Sequence, residues 1–289
     1  MNLRRCRCGA LGLANALLIL GASGVWANPM VALDEYHSNY TAPHYTYAWW
    51  DKTLGGYSKF AGIVTSLGAD TTSLHAPIDS AVLSKVQVLI IVDPDTLPSK
   101  FIQASEITAV DSWVQRGGTL MLFANNAGTC EFTHLNQLAA KFGTQFNGDT
   151  YGGGFNLTPL PTHAFFTGCK TIHIKNMSTQ TVSPPAQAVL TLSGKVLMAT
   201  STKGLGKIFA LGDPWLYNEY IDSADNVKAG TNVMRWILTP NPTSLQAARA
   251  KSVPSRGGAA YTILGRRWDG VPSWAQSVGI GVYHAPSLP

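Results

Sequence analysis

The sequence predicts an α/β fold: a flavodoxin-like, doubly wound and mostly parallel sheet with helices on both faces and an antiparallel hairpin in the second half. First, strand-like apolar runs alternate four times with helix-like segments from Val31 to Phe142, and this alternation is typical of parallel strands joined by helices. Second, two strand-like runs flank Ser193-Gly194-Lys195. They predict the hairpin, since antiparallel strands are commonly added to one side of a parallel sheet.

In the first half, the spacing of apolar residues separates strands from helices. Val86–Val92 is apolar except for Gln87, as expected of a strand buried on both faces. Phe60, Ile63 and Val64 are instead spaced as on one face of a helix. The same criteria predict strands at Val31–Leu33, Asp70–Leu74, Val86–Val92 and Thr119–Phe123, and helices at Tyr57–Leu67, Ser80–Lys85, from Ser105 onward and at Phe132–Phe142.

The second half has shorter strand-like runs and closes with one helix. A loop with three consecutive glycines follows Tyr151, and glycine-rich segments of this kind are flexible. The predicted elements are strands at Thr171–Lys175, Ala188–Leu192, Val196–Thr200 and Lys207–Leu211, and a helix at Asp225–Leu238. No composition change marks a second domain, so one α/β domain is predicted over residues 28–240.

The two ends of the chain differ from this domain. Three arginines precede the apolar run Ala10–Val25, which closes on Trp26-Ala27. This order predicts a signal peptide over residues 1–27 and export to the periplasm or the extracellular space. The alternative is a retained membrane anchor, although the run is shorter than the ~20 residues that span a bilayer. Pro, Gly, Ser, Ala and Arg dominate residues 241–289, which predicts a disordered tail; the alternative is a divergent C-terminus.

Charge and cysteine content exclude several classes of function. Residues 28–240 carry 13 basic and 15 acidic side chains, a net charge of −2, so neither a nucleic acid nor an anionic membrane is the expected partner. No Cys/His spacing for zinc is present. Cys130 and Cys169 either form a disulfide in an oxidising compartment or remain free.

Polar and aromatic residues gather where the predicted strands stop. Because the carboxyl ends of parallel strands lie on one edge of a sheet, a ligand site is expected there. Asp93 and Asp95 follow one such strand, and their i, i+2 spacing puts both carboxylates on one side. Paired carboxylates suit acid/base hydrolysis of a glycosidic bond or a hard cation such as Ca²⁺, while Asp-Pro-Asp is also a good turn former. The predicted catalytic residues are Asp93, Asp95, Glu35, Glu219 and His37.

A second set is predicted to bind the ligand. Aromatic faces stack on the apolar faces of pyranose rings, and Asn side chains hydrogen-bond hydroxyls. The aromatic residues suited to such stacking are Trp49, Trp50, Trp215 and Tyr217. Structural roles remain open alternatives: Asp34 as a helix cap or in a surface salt bridge, Glu131 as a favourable charge at a helix start, and each histidine as a hydrogen-bonded loop residue. The predicted binding residues are Asp34, His44, Trp49, Asn125, Asn126, Glu131, His134, Asp213, Trp215, Tyr217 and Asn218.

Two segments carry a resemblance to a known family: PTHAFFTGCKTIHIKN at Pro161–Asn176 and KGLGKIFALGDPWLYNEY at Lys203–Tyr220. With the order of elements, they resemble the class I glutamine-amidotransferase-like superfamily, and more closely its exported DUF4350-like and trehalose-utilisation-like branch, some members of which occur beside unsaturated rhamnogalacturonyl hydrolases. The resemblance covers Pro29–Leu238. True amidotransferases place a cysteine nucleophile after the strand matching Thr119–Phe123, where this chain has Ala124-Asn125-Asn126, so glutaminase activity is not expected.

These observations predict an exported domain that binds a polysaccharide fragment in a strand-end cleft, with hydrolysis of uronic-acid-containing oligosaccharides as its enzymatic form. The alternative is a non-catalytic scaffold domain that keeps the amidotransferase fold and docks beside a glycoside hydrolase. The expected partner is a carbohydrate, with neither nucleic acid nor stable membrane insertion. No cofactor is expected, and Ca²⁺ is left open.

Overall fold

The computed structural model of the chain describes residues 28–38 and 46–240 in full. It also describes the backbone of a two-stranded antiparallel pair, Ala260–Tyr261 with Arg267–Trp268. His44, the predicted signal peptide and the remainder of the predicted tail lie outside the described residues. None of the described helices has both the length and the apolar character needed to cross a bilayer.

Nine of the described strands form one central sheet. Five neighbouring strands of this sheet are parallel, and the strands beyond them are antiparallel. In chain order the elements are β1 (Met30–Asp34), α1 (Ser58–Ser66), β2 (Asp70–Leu74), α2 (Ser80–Leu83), β3 (Val88–Val92), α3 (Ala104–Gln115), β4 (Thr119–Phe123), α4 (Phe132–Ala139), β5 (Thr144–Phe146), β6 (Phe155–Leu157), β7 (Ile172–Ile174), β8 (Gln180–Val182), β9 (Gln187–Leu192), β10 (Lys195–Lys203), β11 (Gly206–Leu211) and α5 (Asn226–Leu238). The strand order is β2-β1-β3-β4-β11-β10-β8-β5, with β9 paired to β10. The predicted fold class is confirmed.

Alternate residues of the central strands face two separate apolar cores. In β3, Val88, Ile90 and Val92 pack into the core that contains α1 and α5, whereas Leu89 and Ile91 face the core formed with α2, α3 and α4. All five residues are buried. The unbroken apolar run is therefore explained by helices on both faces of the sheet.

The predicted hairpin is formed by β9 and β10. Its turn residues Ser193 and Gly194 both have positive φ, 49° and 76°, the backbone pattern of the two-residue turns that match the twist of paired strands. Three strands of three residues each, β5, β6 and β8, were not predicted. Runs this short carry too little alternation to be told from loop.

Candidate functional site at the carboxyl edge of the sheet

The parallel strands β1, β3, β4 and β11 are consecutive in the sheet, so the segments that follow them meet at one edge. Contacts join these segments directly. Ser38, after β1, pairs with Pro94, after β3, and the Asp95 amide donates a 2.7 Å hydrogen bond to the His37 carbonyl. The structure thus brings the predicted strand-end residues together at this edge, here called the carboxyl edge.

Asp93 is at the centre of the carboxyl edge. Its Oδ2 accepts hydrogen bonds from the Tyr47 hydroxyl at 3.1 Å and from Asn125 Nδ2 at 2.9 Å. Its Oδ1 is buried, and no described residue donates an aligned hydrogen bond to it. The backbone of Asp93 has φ +42°, a conformation that L-residues other than Asn, Asp and Gly rarely adopt. The Asp93 side chain is therefore buried with one oxygen incompletely satisfied.

The pKa of Asp93 is raised from 3.8 to about 6. Burial is the main cause, because removing the carboxylate from water disfavours its charged form. Hydrogen bonds from Asn125 and Tyr47 oppose the shift, and the charges of Asp95 and Asp213 add to it. Burial is also the first cause of the raised pKa of the Cys130 thiol, to which the Asp93 carboxylate adds through its charge and through a hydrogen bond between the two side chains.

The Asp95 side chain stabilises a turn. Its Oδ1 accepts a 2.9 Å hydrogen bond from the amide of Leu97, two residues on, the Asx-turn pattern of a good turn former. The residue is buried along with Asp93. The two carboxylates of the Asp-Pro-Asp motif therefore have different surroundings, since Asp93 interacts with Tyr47, Asn125 and the Cys130 thiol, whereas Asp95 orders the loop after β3.

His37 lies between two carboxylates. Its Nδ1 donates to Asp34 Oδ2 at 2.7 Å, and its Nε2 lies 3.3 Å from Glu106 Oε1 in an ion pair without hydrogen-bond alignment. Burial alone lowers the pKa of His37, but the two carboxylates outweigh burial and raise it to about 9. His37 is therefore a buried cation at neutral pH, which makes it a poor general base and favours a structural role.

Sequence reasoning missed Glu106. Its carboxylate accepts from the backbone amides of Gln103 at 2.8 Å and Ile78 at 2.6 Å. Helix α3 accordingly begins after Gln103 with a capping box, one residue before the predicted start at Ser105. The spacing Gln-x-x-Glu before an apolar stripe is the signal that identifies this pair.

Glu35 accepts a hydrogen bond from Ser73 Oγ, and its Oε2 lies 3.7 Å from Nδ1 of the exposed His75.

The aromatic residues expected to stack on sugars are buried, and this expectation is corrected. Trp215 is 1% exposed and its Nε1 donates to the His173 carbonyl at 3.1 Å. Trp49 is 8% exposed and donates to the carbonyl of Thr72 in edge strand β2. Tyr217 is likewise buried. These rings pack in the core rather than lining an open cleft.

Asp213 and Asn218 also act within the fold. Asp213 accepts from the amides of Trp215 at 2.7 Å and Lys175 at 2.8 Å, and its pKa is raised to about 6, mainly by burial. The Asn218 amide group is used entirely to hold the segment between Asp51 and Lys59, as described below. Glu219 remains half-buried, with its carboxylate 3.7 Å from the Lys175 ammonium.

The segment after β4 carries the more accessible polar groups of the edge. Asn125 and Asn126 are half-buried. Glu131 accepts from the amides of Thr133 and His134 as the N-cap of α4, which accounts for this acid structurally. His134 is half-buried and stacks on Phe101 with ring centroids 4.7 Å apart.

Within the described ranges, no three His, Cys, Asp or Glu side chains are grouped in a way that could hold a metal ion. Cys130 and Cys169 are both free thiols.

A cavity of about 170 Å³ lies at the opposite edge of the sheet, beside Gln87, Thr119 and Lys207. The Lys207 ammonium donates to the carbonyls of Trp236 and Thr239 and so caps α5, while burial lowers its pKa to about 8.

Comparison with solved structures supports the fold. The N-terminal domain of mmIFT52 superposes with a TM-score of 0.57 at 18% identity, covering 73% of this chain and 98% of that one. The cytoplasmic protein STM3548 from Salmonella typhimurium gives 0.52 at 15% identity, covering 72% and 98%, and STM1381 from strain LT2 gives 0.53 at 12%, covering 72% and 99%. Identities this low establish the fold alone.

A comparison with curated proteins gives no match. The model of one family, described as "Domain of unknown function (DUF4350)", matches residues 51–234. The match spans more than half of the chain, including β3, β4, β11 and the segments after them. The chain therefore belongs to the DUF4350 family.

Proposed function

We propose that this domain binds a carbohydrate at the carboxyl edge of its sheet, in an exported protein. The observation that carries the proposal is Asp93, at which three features coincide: a left-handed backbone conformation at φ +42°, a buried oxygen without an aligned partner and a pKa of about 6. Each of these features is enriched at functional sites. Their coincidence on one residue, at the edge where α/β folds bind ligands, supports a binding role.

The neighbouring groups suit hydroxyl recognition. Asn125 and Asn126 each have an amide that both donates and accepts hydrogen bonds, and both are half-buried. In the enzymatic form of the proposal, Asp93 protonates the glycosidic oxygen, because a pKa near 6 keeps part of its population protonated near neutral pH. Glu219 is the half-buried carboxylate left for the base.

The charge of the edge favours a neutral sugar. Asp34 and Glu106 are paired with His37, and the Lys175 charge acts on Asp213. The buried acidic residues of the edge are Asp34, Glu35, Asp93, Asp95, Glu106, Glu131 and Asp213. A uronate would bring a further negative charge toward these carboxylates, and like charges placed together oppose binding. We therefore expect neutral oligosaccharides to bind more tightly than the uronic-acid-containing ones that the sequence first indicates.

Calorimetric titration tests this proposal. The purified protein is titrated with xylohexaose, mannohexaose, cellohexaose and a galacturonic acid hexamer, and so are Asp93→Asn and the control Asp222→Asn. Asp222 is an exposed surface residue paired with Lys59. We expect heat from a neutral sugar with wild type and the control, and weaker binding with Asp93→Asn. Folded wild-type protein that gives no heat with any of the four sugars would contradict the proposal.

A non-catalytic scaffold domain is the second candidate. It is favoured by the burial of the 213–218 segment, in which Trp215 and Asn218 serve the fold and are closed to a ligand. A scaffold would capture a glycoside hydrolase expressed with it whether or not Asp93 is intact. Co-purification that is unchanged in Asp93→Asn, from a protein that binds none of the four sugars, would favour this candidate.

A further inference from the structure

The turn that precedes α1 exposes two large apolar side chains. Trp50 is 67% exposed and Leu54 is 63% exposed. Among the described residues, only two other large hydrophobic side chains are exposed, Leu97 and Val227, at 46% and 44%. Trp50 therefore presents the largest accessible ring of the described domain. Exposing an indole to water is unfavourable, so its position calls for an explanation.

The backbone that carries Trp50 is rigid. Trp50 lies in a turn closed by the Asp51 amide donating to the Ala48 carbonyl at 3.2 Å. The preceding residue, Trp49, is anchored by its indole N–H to Thr72 at 2.9 Å. The next residue, Asp51, accepts from the amide of Thr53 at 2.7 Å and from two threonine hydroxyls. Trp50 is thus exposed from a fixed segment.

Asn218 joins this turn to the carboxyl edge. Its Nδ2 donates to the carbonyls of Asp51 at 3.0 Å and Thr53 at 2.8 Å, and its Oδ1 accepts from the Lys59 amide at 3.0 Å. The amide of Glu219 then donates to the Leu54 carbonyl at 2.9 Å. Because Asn218 follows β11, these bonds attach the Trp50 turn to the same edge as Asp93.

We infer that Trp50 is the aromatic platform on which the carbohydrate of the proposed function stacks, and that Asn218 is a positioning residue that holds the platform at the carboxyl edge. The inference rests on the proposed function and names the ring that performs the stacking. It selects Trp50 from the four aromatic residues that the sequence suggests, because the fold buries Trp49, Trp215 and Tyr217 and leaves this ring open to solvent.

The ring and its setting fit a sugar. A flat indole carried by a hydrogen-bonded turn covers the apolar face of a pyranose at a low cost in side-chain entropy, because only two χ angles are fixed on binding. Lys52 and Thr53, which follow the ring in sequence, are exposed and polar, and they suit contact with the hydroxyls of a sugar. A protein partner would instead use Trp50 and Leu54 together as one apolar contact.

Substitutions at Trp50 separate these possibilities by calorimetry with the neutral hexasaccharide that binds wild type. Trp50→Ala is expected to weaken binding roughly tenfold or more, since burying one indole face removes on the order of 80 Å² of apolar surface from water. Trp50→Tyr keeps a flat ring and should bind within a few-fold of wild type, whereas Trp50→Leu keeps apolar surface but no ring and should behave like Trp50→Ala. Val227→Ala is the matched control and should bind as wild type.

The outcomes distinguish this inference from the proposed function. Binding by Trp50→Ala equal to wild type would overturn the platform while leaving the carbohydrate proposal standing. Binding retained in Trp50→Leu but lost in Leu54→Ala would overturn stacking in favour of a general apolar contact. Heat from none of the sugars with wild type would overturn both. For Asn218→Ala, binding equal to wild type in protein shown to be folded would overturn the positioning role.

Discussion

Replacing Asp93 by Asn tests whether this carboxylate is held at the edge at a cost to stability. A folded-state pKa of about 6 against an ordinary value of 3.8 corresponds to about 3 kcal/mol. For an acid whose pKa is raised in the folded state, the folded protein binds more protons than the unfolded chain between these values. The contribution of Asp93 to stability is therefore most favourable below pH 3.8, and it becomes less favourable as the pH rises through about 6.

Asn at this position keeps an oxygen for the hydrogen bonds from Tyr47 and Asn125, removes the charge and tolerates positive φ. We expect Asp93→Asn to unfold at higher denaturant than wild type at pH 7.5, by about 1 to 3 kcal/mol, with the difference shrinking toward pH 4. Guanidinium unfolding between pH 4 and 8 measures this. Asp213→Asn is the contrast, because both Asp213 oxygens accept hydrogen bonds from backbone amides and Asn keeps only one oxygen. We expect this variant to lose about 1 to 3 kcal/mol of stability at pH 7.5. Equal losses in both variants at pH 7.5 would refute the reasoning.

Three further predictions concern stability. The pKa of His37 is raised to about 9, so the contribution of its charge to stability is complete below pH 6.5 and is lost as the pH rises through 9. In denaturant unfolding, the free energy of unfolding of wild type should therefore fall between pH 7 and 9.5, and that of His37→Gln should lack this fall. Asn218→Ala leaves two carbonyls without their donor and should cost about 2 to 4 kcal/mol in the same assay. Gly212→Ala places a Cβ 1.7 Å from the Ser178 carbonyl oxygen and should cost about 3 kcal/mol or more, whereas Gly62→Ala, which meets nothing within 4 Å in α1, should raise the melting temperature.

The fold was predictable because its main elements are long or fully buried. The runs at β3 and β4 are apolar on both faces, and the stripe in α1 has helical spacing, so both patterns are visible without the structure. The short strand β8 was not predictable, because its pairing depends on contacts distant in sequence. Buried Gln180 donates to the Leu197 carbonyl across the sheet at 2.8 Å, a contact that no local pattern encodes.

The edge was predictable from the sequence, but the exposure of its side chains was not. The predicted ends of β3 and β4 identified Asp93 and Asn125, because the carboxyl ends of parallel strands lie at one edge of a sheet. Trp49 and Trp50 are adjacent and chemically identical, yet one is 8% and the other 67% exposed. This difference arises from the turn closed at Ala48 and from the clamp by Asn218, both of which depend on tertiary contacts.

Mapping of backbone amide chemical shifts during titration with a bound neutral hexasaccharide tests the central claim most directly. Carbohydrate binding at the carboxyl edge predicts that the largest changes fall at residues 50–54, 93–97 and 125–131. The cavity at the opposite edge, beside Gln87 and Lys207, is one alternative place for a ligand. Changes confined to the amides around that cavity, with the carboxyl edge unmoved, would contradict the account.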